Sequence, residues 1–360
     1  MFYAAHATGE ESWQKFADNC LEQLEDMPAD ANLGFLYVTD DQVRHLDRML
    51  SYLRAHTEIS NWVGSVGIGV CTSGQEHFDE ATVSVLAGAL PEESFRTFAP
   101  VVDGLEQFQQ AHRDWYQQQN SVFGLVHGDP RSGQLPEILT ALTDELDPGF
   151  LVGGLASSRS EQYALIAGNE VVQDGVSGVL LSDAVSLTTR LTQGCSPLGD
   201  WHEVTECQDN IIVKIDDRPA LDVLKEEIGD VLARDLNRIA GYVFVAVPIE
   251  GSDTGDYLVR NLLGLDVNSK MLAIGDVIKP GDPLMFARRD APNAEKDMQR
   301  MLDSLSSRLD GGSPKGGVYY TCRYLGVSVA HRIFPFADFG IFLIWLIFKY
   351  FTGAKLLAHV

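Results

Sequence analysis

Hydrophobic positions near the start of the chain follow a period of three to four residues and then merge into a continuous run. Apolar side chains over residues 13–24 fall on one stripe of an amphipathic helix. The apolar run at 33–38 is short and predicts a strand, and the helical period returns at 43–53. The chain is therefore expected to open with a helix, a strand and a second helix.

Alternation of strand and helix continues up to residue 149. Valine-rich runs bounded by glycine or charge predict strands at 65–70, 81–87 and 121–127. A helical period at 135–146 ends before an Asp-Pro-Gly sequence. Residues 95–119 are polar and rich in glutamine, which predicts a connection that contains a helix. This half of the chain is typical of an α/β fold.

Beyond residue 150 the predicted strands follow one another closely, and glycine, asparagine and aspartate separate them. Gly168 and Asn169 suit a hairpin turn. Such spacing is typical of an antiparallel meander, so the sheet is expected to be mixed. The predicted strands are 150–153, 163–167, 176–181 and 185–191.

A second lobe is expected to begin near Asp209 with a strand, a turn and a helix. Asp216 and Asp217 suit the turn, and Pro219 suits the first position of the helix. The predicted elements are strands at 211–215, 242–248, 257–262, 284–288 and 316–322 and a helix at 298–309. Together the patterns predict a mixed α/β, or α+β, protein of two lobes, in which large mixed sheets pack against amphipathic helices.

Composition supports two folded lobes and excludes several classes of protein. The chain has 360 residues, more than one ordinary domain needs, and its 45% hydrophobic and 22% charged residues are close to the globular average. The 51 acidic residues against 27 basic ones give a net charge of −24. Because this charge repels phosphate backbones, nucleic acid is not an expected partner.

Cysteine usage and the first residues point to a reducing compartment. The five cysteines are odd in number and form no CxxC pair, so neither a disulfide framework nor a thiolate zinc site is predicted. The first eleven residues lack the basic start and apolar run of a signal peptide. We therefore expect a cytoplasmic protein. The chain also lacks GxGxxG, P-loop, HExxH and GxSxG patterns, and no catalytic residue is predicted.

Two short segments are candidate ligand sites. A strand ends in Gly153 and Gly154 and is followed by Ser157, which could present backbone amides and hydroxyls to a ligand carboxylate. A structural turn is the alternative. Gly194 and Cys195 lie on a constrained loop, where the cysteine could be a nucleophile, a metal ligand or a small buried group.

Single charged or titratable side chains give two further candidates. Arg260 lies within an apolar strand and needs an anion, either a structural carboxylate or a ligand carboxylate. The nine histidines form no pair at helical spacing, so no metal site is predicted. One histidine could still hold a haem iron; His6 and His127 lie beside strand or loop segments, and an ordinary surface or core role is the alternative for each.

Several of these segments together resemble the FIST family, in both its N-terminal and its C-terminal domain. The resemblance covers roughly the first 322 residues. It is carried by His6 with Gly9-Glu10, GFLYV at 34–38, WVGSVGIGV at 62–70, LVGGLASS at 151–158, QGCSPLG at 193–199 with Val204-Thr205, RPALDVL at 218–224 and YLVRNLLGLD at 257–266.

The resemblance implies a bacterial sensory module that binds a small ligand, such as an amino acid. Such a module would signal in trans to a histidine kinase or a similar partner, because no kinase or other output segment is recognisable here. Some members are described as haem-dependent nitric oxide sensors, so haem is a cofactor to test. Carried onto this sequence, the implied ligand site comprises Gly153, Gly154, Ser157, Gly194, Cys195 and Arg260.

The end of the chain departs from the family pattern. The expected organisation is an N-terminal lobe at 1–205, an incomplete C-terminal lobe at 206–322 and an atypical hydrophobic tail at 323–360. The apolar run at 333–348 approaches the length that a bilayer requires. A membrane anchor, a buried hydrophobic replacement and a shifted reading frame are the three interpretations, and the abrupt change in composition favours the last.

Three functions therefore remain open at the level of sequence. The first is a ligand-sensing module without catalytic activity. The second is a haem-dependent gas sensor, and the third is an enzyme with Cys195 as its nucleophile.

Overall fold

A computed structural model describes residues 2–72, 75–190, 194–233, 239, 242–248, 257–289, 291–309, 313–321 and 341–345. The chain forms two compact units. Unit 1 takes Met1–Leu187 and Gly311–Ala354, and unit 2 takes Thr188–Asp310 and Lys355–Val360. The lobe boundaries expected at residues 205 and 322 stay a prediction.

The described residues of the first half of unit 1 form six strands and two helices. Its strands are β1 (Phe2–Thr8), β2 (Leu33–Thr39), β3 (Asn61–Gly67), β4 (Gly69–Thr72), β5 (Gln75–Phe78) and β6 (Thr82–Gly88). Its helices are α1 (Trp13–Gln23) and α2 (Leu46–Thr57), the latter preceded by a 3-10 turn at Asp40–His45. Ser12 caps α1 by accepting a hydrogen bond from the backbone N–H of Lys15.

The second half of unit 1 has the same elements in the same order. Its strands are β7 (Phe95–Val101), β8 (Val122–Gly128), β9 (Gly149–Leu155), β10 (Leu165–Gly168), β11 (Glu170–Val172) and β12 (Val176–Ser182), and its helices are α3 (Glu106–Tyr116) and α4 (Leu135–Glu145). The sheet orders match: β1-β6-β2-β3 in the first half and β7-β12-β8-β9 in the second. In each half the first three of these strands pair antiparallel and the last two pair parallel. Unit 1 is therefore a structural duplication.

Glycines at equivalent positions mark the duplication in the backbone. Gly64 in β3 and Gly153 in β9 have φ angles of 154° and 147°. A Cβ atom added to Gly64 would lie 1.8 Å from the carbonyl oxygen of Leu36, and one added to Gly153 would lie 1.8 Å from that of Val126. Each half therefore requires glycine where its two parallel strands approach.

The two sheets of unit 1 pack face to face between two layers of helices. One face of the first sheet packs against α1 and α2, through apolar side chains such as Phe16 and Leu50. One face of the second sheet packs against α3 and α4, through side chains such as Phe108 and Leu142. The other two faces share a core that includes Phe35 and Leu125. The helical periods in the sequence correspond to these outer layers.

A further sheet in unit 1 contains two strands from the later part of the chain. Its strands are β20 (Gly317–Thr321), β21 (Ile341–Trp345), β4 and β5, in the order β20-β21-β4-β5. The backbone N–H of Phe2 donates to the carbonyl oxygen of Lys315 at 2.9 Å. The β10–β11 hairpin extends the first sheet beyond β3.

Within the described residues, unit 2 is built on seven antiparallel strands. These are β13 (Ser196–Gln208), β14 (Ile211–Ile215), β15 (Arg218–Pro219), β16 (Val243–Pro248), β17 (Tyr257–Asp266), β18 (Met271–Ile274) and β19 (Pro283–Arg288). Their order is β13-β19-β16-β17-β18-β14-β15, and β13 also pairs with β14, which closes six of them into a ring. The helices are α5 (Ala220–Ala233) and α6 (Ala291–Ser307). The buried face of α5 packs against the strands through Leu221 and Leu224.

The expected fold class is confirmed, with corrections to individual elements. A strand was expected at 185–191, but residues 185–190 pair with no strand in the part of the chain that the structure describes, and residue 191 lies outside that part. Their polar threonines and Arg190, whose Nε donates to Ser304 Oγ at 2.8 Å, explain the difference. The connection at 95–119 contains the expected helix and also β7. The Gly168-Asn169 turn forms as expected, with Ala167 opposite Glu170.

The expected tail at 323–360 lies outside the described residues, apart from β21. In the described part of the chain, none of the helices has the length and apolar character needed to cross a bilayer.

Candidate functional site

Polar side chains meet between the two sheets of unit 1, at the carboxyl ends of their parallel strands. Tyr37 lies near the end of β2 and His127 near the end of β8, which are equivalent strands of the duplication. Both residues are fully buried, and both extend from the inner face of their sheet. Carboxyl ends of strands are the usual place for ligands in α/β sheets.

Tyr320 from β20 completes a triangle with these two side chains. His127 Nε2 lies 3.1 Å from the Tyr37 hydroxyl and 3.0 Å from the Tyr320 hydroxyl. The two hydroxyl oxygens are 3.0 Å apart. Tyr320 is partly exposed, whereas the other two are not. The triangle therefore runs from the interior of unit 1 towards its surface.

All three side chains of the triangle are uncharged at neutral pH. Burial lowers the pKa of His127 to about 3, because the imidazolium form would lose its hydration. Burial also raises the pKa of Tyr37 and of Tyr320 above the ordinary value for tyrosine. The group can exchange hydrogen bonds, but it offers no counter-charge to an ion.

Three buried polar atoms beside the triangle have no hydrogen-bond partner among the described residues. They are Ser65 Oγ, Ser84 Oγ and His127 Nδ1. Ser65 in β3 and Ser84 in β6 are the cross-strand neighbours of Tyr37 on either side, so all three share one face of the sheet. Buried polar groups in folded proteins nearly always find a partner. Their concentration here marks this interior as the candidate site, which we call the interior site.

Two ion pairs flank the interior site, one in each half. Asp40 follows β2 and binds Arg159, with Oδ1 to Nη2 at 2.8 Å and Oδ2 to the backbone N–H at 2.7 Å. Asp129 follows β8 and binds Arg131, with Oδ2 to Nη2 at 2.6 Å and Oδ1 to Nε at 3.0 Å. Burial alone would raise both carboxyl pKa values, but the hydrogen bonds from arginine outweigh it and lower the pKa of each.

Three of the residues expected to bind a ligand lie in unit 1, next to the interior site. Gly154 is the partner of His127 in the β8–β9 register, and Gly153 precedes it. Ser157 is 5% exposed; its Oγ accepts from the N–H of Ile68 at 3.0 Å, and its own N–H donates to the Val66 carbonyl at 3.0 Å. Ser157 thus has the structural contacts of a turn as well.

The other three expected residues lie in unit 2 and have contacts inside it. Arg260 Nε donates to Asp276 Oδ2 at 2.6 Å, which is the structural carboxylate considered from the sequence. The Gly194 N–H donates to Asp297 Oδ2 at 3.2 Å.

Cys195 is 2% exposed and packs against apolar side chains in unit 2. This burial agrees with the interpretation of a small buried group and does not favour a nucleophile. The role of all six residues in binding a ligand stays a prediction.

Haem does not fit at His127. Iron coordination needs a ring nitrogen with space for the porphyrin, but the His127 side chain is fully buried and its Nε2 lies within hydrogen-bond distance of two tyrosine hydroxyls. His6 packs against His77, with ring centroids 5.6 Å apart. Within the residues described, no three His, Cys, Asp or Glu side chains gather closely enough to hold a metal ion.

Sequence reasoning identified His127 but missed Tyr37, Ser65, Ser84 and Tyr320. A weak repeat could have led to the first of them. The segment LGFLYVTD at 33–40 and the segment FGLVHGD at 123–129 share a glycine, an apolar pair and a final aspartate around Tyr37 and His127. Tyr320 has no comparable signal, because it is 283 residues from Tyr37 in sequence.

Comparison with known families and proteins agrees with the resemblance drawn from the sequence. The model of the FIST N domain matches residues 32–218, and that of the FIST C domain matches residues 220–332. The uncharacterized protein Rv0628c of Mycobacterium tuberculosis is 27% identical over 302 residues, which cover 81% of this chain and 75% of that protein. The uncharacterized protein Mb0898c of Mycobacterium bovis is 27% identical over 310 residues, which cover 82% of this chain and 76% of that protein.

Proposed function

The chain belongs to the FIST family, and from that premise we propose that it is a sensory module that binds a small polar molecule in the interior site of unit 1 and signals in trans to a partner such as a histidine kinase. FIST domains are associated with sensory signal transduction and small-ligand binding, and the family is not an enzymatic one. The proposal adds to this the location of the site and the mode of signalling.

One observation supports this location above the others: the three unpartnered polar atoms around Tyr37 and His127. Leaving a buried polar group without a hydrogen bond costs about 1 to 3 kcal/mol. A bound molecule that satisfies these groups recovers part of that free energy, so the site is built to gain from binding. Gly154 lies opposite His127 in the β8–β9 register and has no side chain to pack against it.

The remaining expected residues form a separate part of the proposal. Gly194, Cys195 and Arg260 stay candidate ligand contacts in unit 2, since the resemblance implies them. Their contacts to Asp297, Tyr257 and Asp276 support a structural role at the same time.

A ligand screen with matched tyrosine variants tests the proposed site. Small metabolites, beginning with amino acids and their amides, would be added to the full chain and to Tyr37→Phe and Tyr52→Phe. A true ligand is expected to raise the melting temperature of the wild type and of Tyr52→Phe, whose hydroxyl contacts Asp18 away from the site. Its effect should be much weaker in Tyr37→Phe. Equal stabilisation of all three proteins would place binding elsewhere.

Signalling in trans has its own test. Host histidine kinases would be assayed for autophosphorylation with the FIST protein, with and without the ligand found in the screen. We expect the ligand to change the rate for at least one kinase, and we expect Tyr37→Phe to abolish that change. If a ligand binds but no kinase responds, the choice of a kinase as the partner is wrong, whereas the ligand site stands.

A further inference from the structure

We propose that the interior site selects uncharged molecules that carry a hydrogen-bond donor next to an acceptor, of the amide or urea class, and rejects amino-acid zwitterions, carboxylates and cations. This inference rests on the proposed function, because it names the class of ligand for the same site. It rests on three features: the neutral imidazole of His127, the pairing of the two carboxylates that follow β2 and β8, and the positions of the unpartnered atoms.

The triangle determines what His127 can offer to a ligand. Neutral imidazole has one N–H and one bare nitrogen, so Nε2 either donates to a tyrosine hydroxyl or accepts from one, and it cannot do both. Nδ1 takes the opposite role: it is a donor when Nε2 accepts and an acceptor when Nε2 donates. Nδ1 has no hydrogen-bond partner among the described residues, so in either tautomer a ligand that carries both a donor and an acceptor can supply the partner that it lacks.

The serines provide the complementary group. Ser65 Oγ and Ser84 Oγ can each donate one hydrogen bond and accept others, and both are fully buried without a partner in the described structure. They flank Tyr37 on the same face of the sheet. A ligand that forms hydrogen bonds with Nδ1 and with a serine hydroxyl satisfies two of the three atoms. An amide has a donor and an acceptor on adjacent atoms, so it suits either tautomer of His127.

The two carboxylates that follow β2 and β8 are already paired. Asp40 and Asp129, which follow the strands carrying Tyr37 and His127, each bind an arginine through both carboxylate oxygens. Neither carboxylate is free for a ligand ammonium, and neither arginine is free for a ligand carboxylate. Burying an ion without a counter-charge is costly, so a charged molecule loses more hydration than this neutral site returns.

The spacing of the strands limits the size of the ligand. Ser65 and Ser84 are two strands apart, which is roughly 10 Å, and Tyr37 lies between them. A ligand beside Tyr37 therefore spans only a few heavy atoms before it meets a neighbouring side chain. Tyr320 is the partly exposed corner of the triangle, and we infer that the ligand enters beside it.

A set of four-atom probes separates charge from shape. Acetamide, acetate and acetamidinium have the same planar arrangement of four heavy atoms but are neutral, anionic and cationic; glycine adds a zwitterion. Each would be titrated into the ¹⁵N-labelled full chain while the ¹⁵N resonance of His127 Nδ1 is followed. The resonance would be assigned by its loss in His127→Gln. We expect acetamide to shift it and to bind at least about tenfold more tightly than the other three, a difference of about 1.4 kcal/mol.

A variant at Ser65 tests whether acetamide binds at the interior site. Ser65→Ala removes a hydroxyl that has no partner among the described residues, so the fold should be retained, and acetamide should bind about three- to tenfold more weakly. Gly133→Ala, where an added Cβ meets nothing within 4 Å, should leave binding unchanged.

The outcomes separate this inference from the proposed function. If acetate, acetamidinium or glycine shifts Nδ1 as strongly as acetamide does, and Tyr37→Phe removes the shift, the selectivity is wrong and the site stands. If none of the four probes shifts Nδ1, the inference is overturned, and the metabolite screen then decides whether the site binds any ligand at all.

Discussion

The two halves of unit 1 have the same backbone arrangement but different side chains where they meet. In the first half Tyr37 lies between Ser65 and Ser84; in the second, His127 lies between Gly154 and Ser177. The glycine that permits the close approach of the parallel strands is kept in both halves, at 64 and 153. The comparison teaches that packing requirements preserve the backbone of a duplicated fold, while the side chains of the shared interior become asymmetric.

The largest expected effect concerns the feature that the halves share. Gly64→Ala and Gly153→Ala each place a Cβ 1.8 Å from a carbonyl oxygen and at a φ that L-residues rarely adopt. We expect each substitution to lower the free energy of unfolding of unit 1 by roughly 3 to 5 kcal/mol. Urea titration monitored by circular dichroism measures both values.

Gly133→Ala is the control for this pair and is expected to change stability by less than about 0.5 kcal/mol. If one of the two variants at 64 and 153 is tolerated while the other unfolds, the halves do not share the same backbone constraint, and the duplication is limited to topology.

The next effect concerns the residue that distinguishes the second half. His127 has a pKa of about 3 in the folded protein, against 6.5 as its ordinary value. Between these pH values the unfolded chain binds a proton at His127 that the folded chain does not. The free energy of unfolding therefore falls as the pH falls, by about 1.4 kcal/mol per pH unit from this group. Above pH 6.5 the contribution is constant.

The measurement is the pH dependence of urea unfolding for the wild type and for His127→Gln, in which this slope should disappear. His56→Gln, at an exposed histidine of α2, should retain it. His127→Asn is a second variant in case the first is unstable at acidic pH. An unchanged slope in both His127 variants would show that His127 is not the buried neutral group described here.

The smallest expected effect is the loss of stability when one tyrosine hydroxyl of the triangle is removed, compared between Tyr37 and Tyr320. Tyr37→Phe leaves buried partners without a hydrogen bond and should cost about 1 to 2 kcal/mol of unfolding free energy. Tyr320→Phe should cost less, about 0.5 kcal/mol, since Tyr320 is partly exposed and water can reach its partners. Urea unfolding of both variants gives the comparison, and equal costs would mean that water does not enter beside Tyr320.

Much of the fold of unit 1 could be predicted because its helices have one buried face. The three-to-four residue period at 13–24 became α1, and the run at 33–38 became β2. Strand β7 was missed because only some of its residues are buried, so it shows no clear apolar run. Strand β13 was missed because most of its residues are exposed. Backbone pairing maintains such strands, and pairing leaves little trace in local composition.

The candidate site was only partly predictable. Gly153 and Gly154 could be identified from the sequence, because two consecutive glycines at the end of a strand usually mark a turn or a close approach of the backbone. Tyr37 was not visible, because it occurs within an apolar run where an aromatic residue usually packs in the core. The duplication itself was missed, since its two copies share a few glycines and aspartates and differ at Tyr37 and His127. Contacts between distant residues cannot be deduced from local periodicity.

The position of Tyr320 in the chain has a consequence for how the protein is made. Tyr320 follows His127 by 193 residues, and all of unit 2 up to Asp310 is synthesised between them. A nascent chain that has completed both halves of unit 1 therefore still lacks the third hydroxyl of the triangle. The interior site is finished only when translation has passed residue 320, so ligand affinity would report on whether the ribosome has completed the Thr188–Asp310 part of unit 2.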